Sequence, residues 1–292
     1  MAPPDSAATL DGAVRWATAR LAAAGIEGPG RDARLLVAAA LGATQTELIL
    51  HPERRLTDLE RRRVDETVAR RCRHEPVSRI LGEREFYGRT FKITPDTLDP
   101  RPDSETLIEA VLEVVGSEGR KDHPLRILDI GTGTGCLVAT LLCELPAAVG
   151  VGIDVSPGAL EVARCNSQQL GVADRAEFRL QAAAEVCDTF DILVSNPPYI
   201  RSSEIAGLAE DVKGFDPAMA LDGGFDGLVV YRQIATRLPS VLPAGWAFFE
   251  VGDGQADELQ HLLKTALMQR IQTSRAWRDL GGRERCVAVE LH

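Results

Sequence analysis

A strand that runs into a glycine at every second position, and then straight into a helix, leaves few architectures open. Here Arg126–Ile130 (RILDI) is the apolar strand, Gly131-Thr132-Gly133-Thr134-Gly135 the turn, and Cys136–Leu145 the helix. Alternate glycines remove the side chains that would keep a ligand off the backbone, and they permit positive φ angles. In an open α/β sheet such a turn lies beyond the carboxyl end of a strand, where ligands bind. The spacing is not the dinucleotide fingerprint, which needs glycine where Cys136 stands, and no Gly-Lys-Ser/Thr ending marks a phosphate loop.

The turn holds no basic residue and is preceded by Asp129, a poor setting for a pyrophosphate. It suits a ligand with an ammonium and a second positive centre, as in S-adenosylmethionine. Nineteen residues past Gly135, Asp154 ends the next strand, Val149–Val155. A carboxylate there can accept two hydrogen bonds from the cis-diol of a ribose. Alone, each feature is a common tight connection or cap; in this order they point to a nucleoside cofactor. The candidate cofactor-binding residues are Asp129, Gly131, Thr132, Gly133, Thr134, Gly135 and Asp154, with Asn196 added at the neighbouring strand tip described next.

That tip is Asn196-Pro197-Pro198-Tyr199, which ends a strand read over Phe190–Ser195. Asn-Pro is a common turn dipeptide, so the motif gains meaning only from leaving a parallel strand beside the first, facing the glycine turn. Asn196 offers a side-chain carbonyl acceptor, and the Pro197 carbonyl offers a second one, held stiffly by two prolines. Two convergent acceptors suit a planar NH2 group. Tyr199 adds an aromatic face for a flat conjugated substrate. An amide nitrogen is a weak nucleophile, and acceptors that draw on both its hydrogens favour a pyramidal form and strengthen as positive charge develops during methyl attack. Asn196, Pro197 and Tyr199 are the candidate catalytic residues, with Pro198 joining them in substrate binding. The five histidines are scattered, without metal-ligand spacing, so no metal is expected.

Around these motifs the chain changes texture twice. Residues 1–77 read as helices only, with patterns at Leu10–Gly25 and Arg31–Gly42, a short segment at Glu47–Leu50, and a Thr57–Glu60 capping box opening an arginine-rich helix through Arg73. Residues 78–103 read as a hairpin connector. Residues 104–292 begin with a helix capped by Asp103 or Ser104, then alternate strand and helix. Strands at 126–130, 149–155, 177–180, 190–195, 246–251, 271–277 and 286–291 predict an α/β fold with a doubly wound, mostly parallel seven-stranded sheet. The last two strands lack a helix between them, so they form an antiparallel edge hairpin.

Composition narrows the functions. The chain carries a formal net charge of −10, and 14 Arg against 12 acidic residues in 1–84 leaves 19 basic against 31 acidic in the rest. Stable nucleic-acid binding wants clustered Lys and Arg, so it is not expected. The longest uncharged apolar run, Cys136–Cys143, is eight residues, and a membrane span needs about 20. The N-terminus, MAPPDSAATLDGAVRW, shows no basic stretch leading into an apolar one, which argues against secretion. Six cysteines without a CxxC pair read as reduced thiols in a cytoplasmic protein.

Glu85-Phe86-Tyr87-Gly88, then Pro100-Arg101-Pro102-Asp103-Ser104-Glu105, then Val194-Ser195-Asn196-Pro197-Pro198-Tyr199-Ile200 and Ala220-Leu221-Asp222-Gly223-Gly224 together resemble the HemK/PrmC family. The resemblance covers nearly the whole chain. It implies a class I methyltransferase fold behind a small all-helical domain, and a peptide chain release factor glutamine N5-methyltransferase that modifies the glutamine of a Gly-Gly-Gln motif. It implies that Gly131–Gly135 and Asp154 hold S-adenosylmethionine, that Asn196 to Tyr199 hold the glutamine amide, and that the helical domain docks the release factor. A monomer is expected. One departure stands out: the family shows an acidic then an aromatic residue after the third strand, near the adenine, where this chain has Gln181-Ala182-Ala183-Ala184. Glu185 is a shifted substitute for the acid. The same motifs would serve a glutamine methyltransferase acting on a ribosomal protein. An amino-methyltransferase acting on adenine or cytosine needs a basic surface that this half of the chain lacks, and a catalytically silent binding module needs neither Asn196 nor Pro197.

Overall fold

The computed structural model describes residues 8–292, so the first seven residues of the expected helical segment and of the N-terminus read for a leader lie outside the described residues. The chain divides into two compact units. One comprises the residues up to Glu83 together with Ala209–Phe215; the other comprises Arg84–Leu208 and Asp216–His292.

The first unit is helical: α1 (Leu10–Ala23), α2 (Pro29–Leu41), α3 (Gln45–Leu50), α4 (Asp58–Arg71) and α5 (Val77–Leu81). Leu10, Leu21, Leu36, Val64 and Val68 meet in its core. The Thr57–Glu60 capping box forms as the sequence predicts, and Thr44 with Glu47 forms another. Two arginines of α4, Arg70 and Arg71, are partly buried, while Arg62 and Arg63 stay exposed. Arg71 bonds Asp32 at 2.8 Å, Arg70 bonds Glu75 at 2.5 Å, and Asp65 is taken by Arg20 of α1. The helix ends at Arg71 rather than Arg73.

The second unit opens with a hairpin, β1 (Glu83–Phe86) and β2 (Arg89–Lys92). Both turn residues, Tyr87 and Gly88, have positive φ, as a tight primed hairpin turn requires. Then come α6 (Glu105–Ser117), β3 (Arg126–Ile130), α7 (Cys136–Glu144), β4 (Val149–Asp154), α8 (Pro157–Gln169), β5 (Ala176–Leu180) and β6 (Ile192–Ser195). After the short helices α9 (Glu210–Lys213) and α10 (Ala218–Leu221), α11 (Val229–Val241), β7 (Gly245–Glu250), α12 (Ala256–Leu267), β8 (Ile271–Arg278) and β9 (Glu284–Leu291) complete it. The sheet order is β5-β4-β3-β6-β7-β9-β8. β3 to β7 run parallel, and β9 pairs antiparallel with both β7 and β8. The edge hairpin expected from the sequence is present.

Strand residues alternate between two cores. Ile127, Ile192, Val194, Trp246 and Phe248 pack with α6 and α7 on one face. Leu128, Leu193, Ala247 and Phe249 pack with α11 and α12 on the other. The same alternation carries Asp129 and Glu250 on the α6–α7 side, at the carboxyl ends of their strands. One local reading is corrected. Neither Asp103 nor Ser104 caps α6 with its side chain; Pro102–Ser104 is a single 3-10 turn that leads into the helix. Ser104 is thereby free for another partner.

Candidate active site

The glycine turn is stitched to its neighbour strand before any ligand is considered. The amides of Gly131 and Thr132 both donate to the Ile153 carbonyl, at 2.9 and 3.0 Å. The Thr132 hydroxyl donates to Asp129 Oδ2 at 2.7 Å, and the Asn166 side chain donates to the Thr134 carbonyl at 2.9 Å. Both threonines are thus buried, while Gly131 stays exposed and Gly133 half-buried. The backbone of the turn faces outward and its side chains face in. Gly135, at φ +77°, begins α7 so close to α8 that a Cβ would meet Ala163 Cβ at 3.1 Å. Only glycine serves there without displacing a helix.

Asp154 closes the turn from β4. One carboxylate oxygen accepts from the Gly133 amide and the other from the Ser156 amide, each at 2.9 Å. Those bonds fix the carboxylate plane and leave each oxygen a further lone pair. Asp129 lies beneath the turn, wholly buried, with Oδ1 unpartnered among the described residues. Burial pushes its carboxyl up to about 7, against the lowering pull of the Thr132 hydroxyl. A buried carboxyl with an unpartnered oxygen beneath a glycine turn that holds no basic residue fits a cationic ligand. These residues fit the cofactor expected from the sequence.

The Asn-Pro-Pro-Tyr tip stands beside that turn. β6 pairs parallel with β3 in a register that sets Ser195 against Ile130, so Asn196 and Gly131 leave the sheet as neighbours. The Ser195 hydroxyl seals the junction by donating to the Ile130 carbonyl at 2.7 Å. Among the described residues, neither Asn196 Oδ1 nor the Pro197 carbonyl accepts a hydrogen bond, whereas Asn196 Nδ2 donates to Ser104 Oγ at 3.2 Å. Two acceptors therefore remain open at the tip.

The backbone behind them is clamped. Gln255 Nε2 donates to the Tyr199 carbonyl at 2.9 Å, and the amide of Ile200 donates to the Leu221 carbonyl at 3.1 Å. A Cβ at Gly223 would lie 2.7 Å from the Pro198 carbonyl, and one at Gly227 2.3 Å from the Tyr199 carbonyl. The Ala220–Gly224 segment named in the sequence is thus a brace pressed against the tip. The Tyr199 ring packs on the α11–α12 core, and its hydroxyl donates to Glu250 Oε1 at 3.5 Å. Burial, then the Glu250 carboxylate, hold that phenol well above its usual range.

Sequence reasoning passed over two residues here. Glu250 ends β7, is 2% exposed, and carries Oε2 without a partner among the described residues. Burial pushes it up to about 7, opposed by a hydrogen bond from Ser104 and by Arg285. Ser104, read as a cap, accepts from Asn196 Nδ2 at 3.2 Å. The available signal was a lone carboxylate closing an otherwise apolar strand, Gly245–Glu250. Past β5, exposed Glu185 accepts from the Ala182 amide at 2.9 Å in a 3-10 turn over Ala183–Glu185.

Comparison with known proteins follows from this geometry. Residues 12–82 match the model of the PrmC N-terminal domain, and residues 121–234 match a methyltransferase domain. A release factor glutamine methyltransferase of Rhodospirillum rubrum is 46% identical over 92% of this chain and 81% of its own length. The chain belongs to the release factor glutamine methyltransferase family. The family's enzyme from Cereibacter sphaeroides is 43% identical over 96% of this chain and 97% of that one. Among solved structures, the hMettl16 catalytic domain in complex with MAT2A 3′UTR hairpin 6 matches with a TM-score of 0.56 at 19% identity, over 70% of this chain and 77% of that one. That likeness concerns the fold alone. Among the described residues of this family member, no helix is long and apolar enough to cross a membrane.

Proposed function

We propose that this chain transfers a methyl group from S-adenosylmethionine to the side-chain amide nitrogen of the glutamine in the Gly-Gly-Gln motif of peptide chain release factors. The observation that carries the reading is the pair of open acceptors, Asn196 Oδ1 and the Pro197 carbonyl, on a strand tip beside the glycine turn. When bound, the cofactor supplies an electrophilic methyl on a sulfonium. Gly131 to Gly135 offer it backbone at close range, Asp154 offers the ribose its free lone pairs, and Asp129 sets negative charge beneath the turn. Asn196 and Pro197 take one amide hydrogen each, orienting the nitrogen and strengthening their hold as it becomes cationic. Pro198 stiffens the tip. Tyr199 presents an apolar surface to the flat carboxamide, its own hydroxyl being occupied by Glu250. The proton leaves after transfer, so no strong base is required beforehand.

The helical unit is read as the docking surface for the release factor. A monomer is the state we propose for it. Six free cysteines, two of them exposed, support a reducing, cytoplasmic setting. No stable contact with nucleic acid is part of this function. Incubation of the purified chain with labelled cofactor and, separately, with release factor and with ribosomal protein tests the substrate. Label on release factor alone is the expected result; label on ribosomal protein alone would replace the reading with its nearest rival.

A further inference from the structure

We propose that Asp216 and Arg101 are positioning residues for methyl transfer: their ion pair clasps the turn that carries Ser104, and Ser104 holds the Asn196 carboxamide. The proposal rests on the methyltransferase reading and deepens it. Pro100 and Pro102 have no amide hydrogen, so the segment Asp99–Ser104 cannot be held by a strand ladder. Within it the Ser104 amide closes a 3-10 turn on the Arg101 carbonyl at 3.1 Å. Side chains tie that turn to the rest of the second unit.

Asp216 is the principal tie. It is the first residue of the second unit after Ala209–Phe215, and its side chain is 2% exposed. Arg101 Nη2 donates to Asp216 Oδ2 at 2.5 Å, and the Asp99 amide donates to Oδ1 at 3.3 Å. One buried carboxylate thus grips the segment at two points, two residues apart. Arg84 Nε lies 3.7 Å from Asp99 Oδ1 and brings a second cation to the same cluster. At the other end of the turn, Arg285 bonds Asp103 at 3.1 Å. Ser104 is therefore set in place by ties on the residues before it. It accepts from Asn196 Nδ2 at 3.2 Å, which is the one hydrogen bond of that side chain among the described residues.

A buried ion pair is a poor device for stability, because desolvation consumes much of its Coulomb gain; its better-attested use is to fix one geometry among several. The geometry fixed here is that of the acceptor at the tip. A carboxamide held at its nitrogen end moves with its holder, so a shift of the turn carries Asn196 Oδ1 away from the substrate amide hydrogen. Misplacement by about 1 Å costs about 10²-fold in rate. Asp216 and Arg101 act through Ser104 and Asn196, so the chemical step bears the effect rather than binding.

A double-mutant cycle in single-turnover methylation of release factor tests the clasp. Arg101→Ala should lower the rate about 10- to 100-fold, with cofactor affinity and the KM for release factor near the parent's. Arg101→Lys, which keeps the charge, should recover most of the rate. In an Asn196→Ala background the same Arg101→Ala change should cost nothing further, because the group it positions is already gone. An equal loss in both backgrounds, as a general weakening of the fold would give, overturns the clasp and leaves the methyltransferase reading standing. Arg101→Ala alone leaves Asp216 buried and unpaired by that arginine, so Arg101→Ala combined with Asp216→Asn provides an uncharged version that should show the same loss of rate. In isotope-labelled protein without substrate, the Asn196 side-chain NH2 resonances should move in both of these variants and return in Arg101→Lys. Resonances unmoved by Arg101→Ala would overturn the clasp. Resonances that move in a protein whose parent methylates nothing would support the clasp and overturn the methyltransferase reading.

Discussion

Asp129 and Glu250 sit on one face of the sheet at the ends of β3 and β7, each buried and each with one oxygen unpartnered among the described residues. Such carboxyls are costly, and their cost depends on pH. Asp129 is raised from its ordinary range to about 7 by burial. A raised carboxyl contributes most to stability below its ordinary pKa, and that contribution is lost as pH rises through about 7. Asp129→Asn should therefore melt about 3 °C or more above the parent at pH 8, with the gap closing toward pH 5; a constant gap across that range would show that Asp129 is not the titrating group. Asn196→Ala removes one of the two open acceptors. It should lower turnover by about 10²- to 10³-fold with cofactor affinity little changed, read by single-turnover methylation and calorimetry. A normal rate would reduce Asn196 to a turn residue.

At the scale of elements, the glycine turn and the strand tip were legible because each is a local pattern on a strand of strong apolar character. The order strand, Gly131–Gly135, helix and the break at Asn196-Pro197 needed no tertiary information. The brace at Gly223 and Gly227, and the Asn196–Ser104 bond, were not legible, since each depends on residues distant in sequence meeting in the fold. Helices α9 and α10 escaped because four residues cannot display a helical period. Pro239 lies in the last turn of α11, which continues to Val241. Gly227→Ala tests the brace: its Cβ would strike the Tyr199 carbonyl in a left-handed backbone conformation. It should cost about 1–3 kcal/mol of stability and lower kcat more than cofactor affinity; unaltered turnover would mean the tip holds its shape unaided. The turn after β5 leaves Ala184 exposed, where the family carries an aromatic. Ala184→Trp should tighten cofactor binding, and unchanged affinity by calorimetry would show that the adenine is held elsewhere.

For the whole molecule, the alternation of strands and helices fixed the sheet, while the helical unit was recognised by the absence of strands. What the sequence could not show is that Ala209–Phe215, following the tip, groups with the helical unit instead of with the sheet around it. The acidic balance of the chain, −10 overall, predicts that RNA and DNA are not retained in a filter-binding assay at physiological salt; tight, salt-sensitive retention would instead favour a base-modifying enzyme. The central claim is that a glutamine carboxamide is gripped by two oxygen lone pairs next to a sulfonium methyl. Mass spectrometry of release factor after incubation with this chain and S-adenosylmethionine tests it most directly. One added methyl on the side-chain nitrogen of the Gly-Gly-Gln glutamine is the predicted result, and an unmodified motif, or a methyl on any other residue, would contradict it.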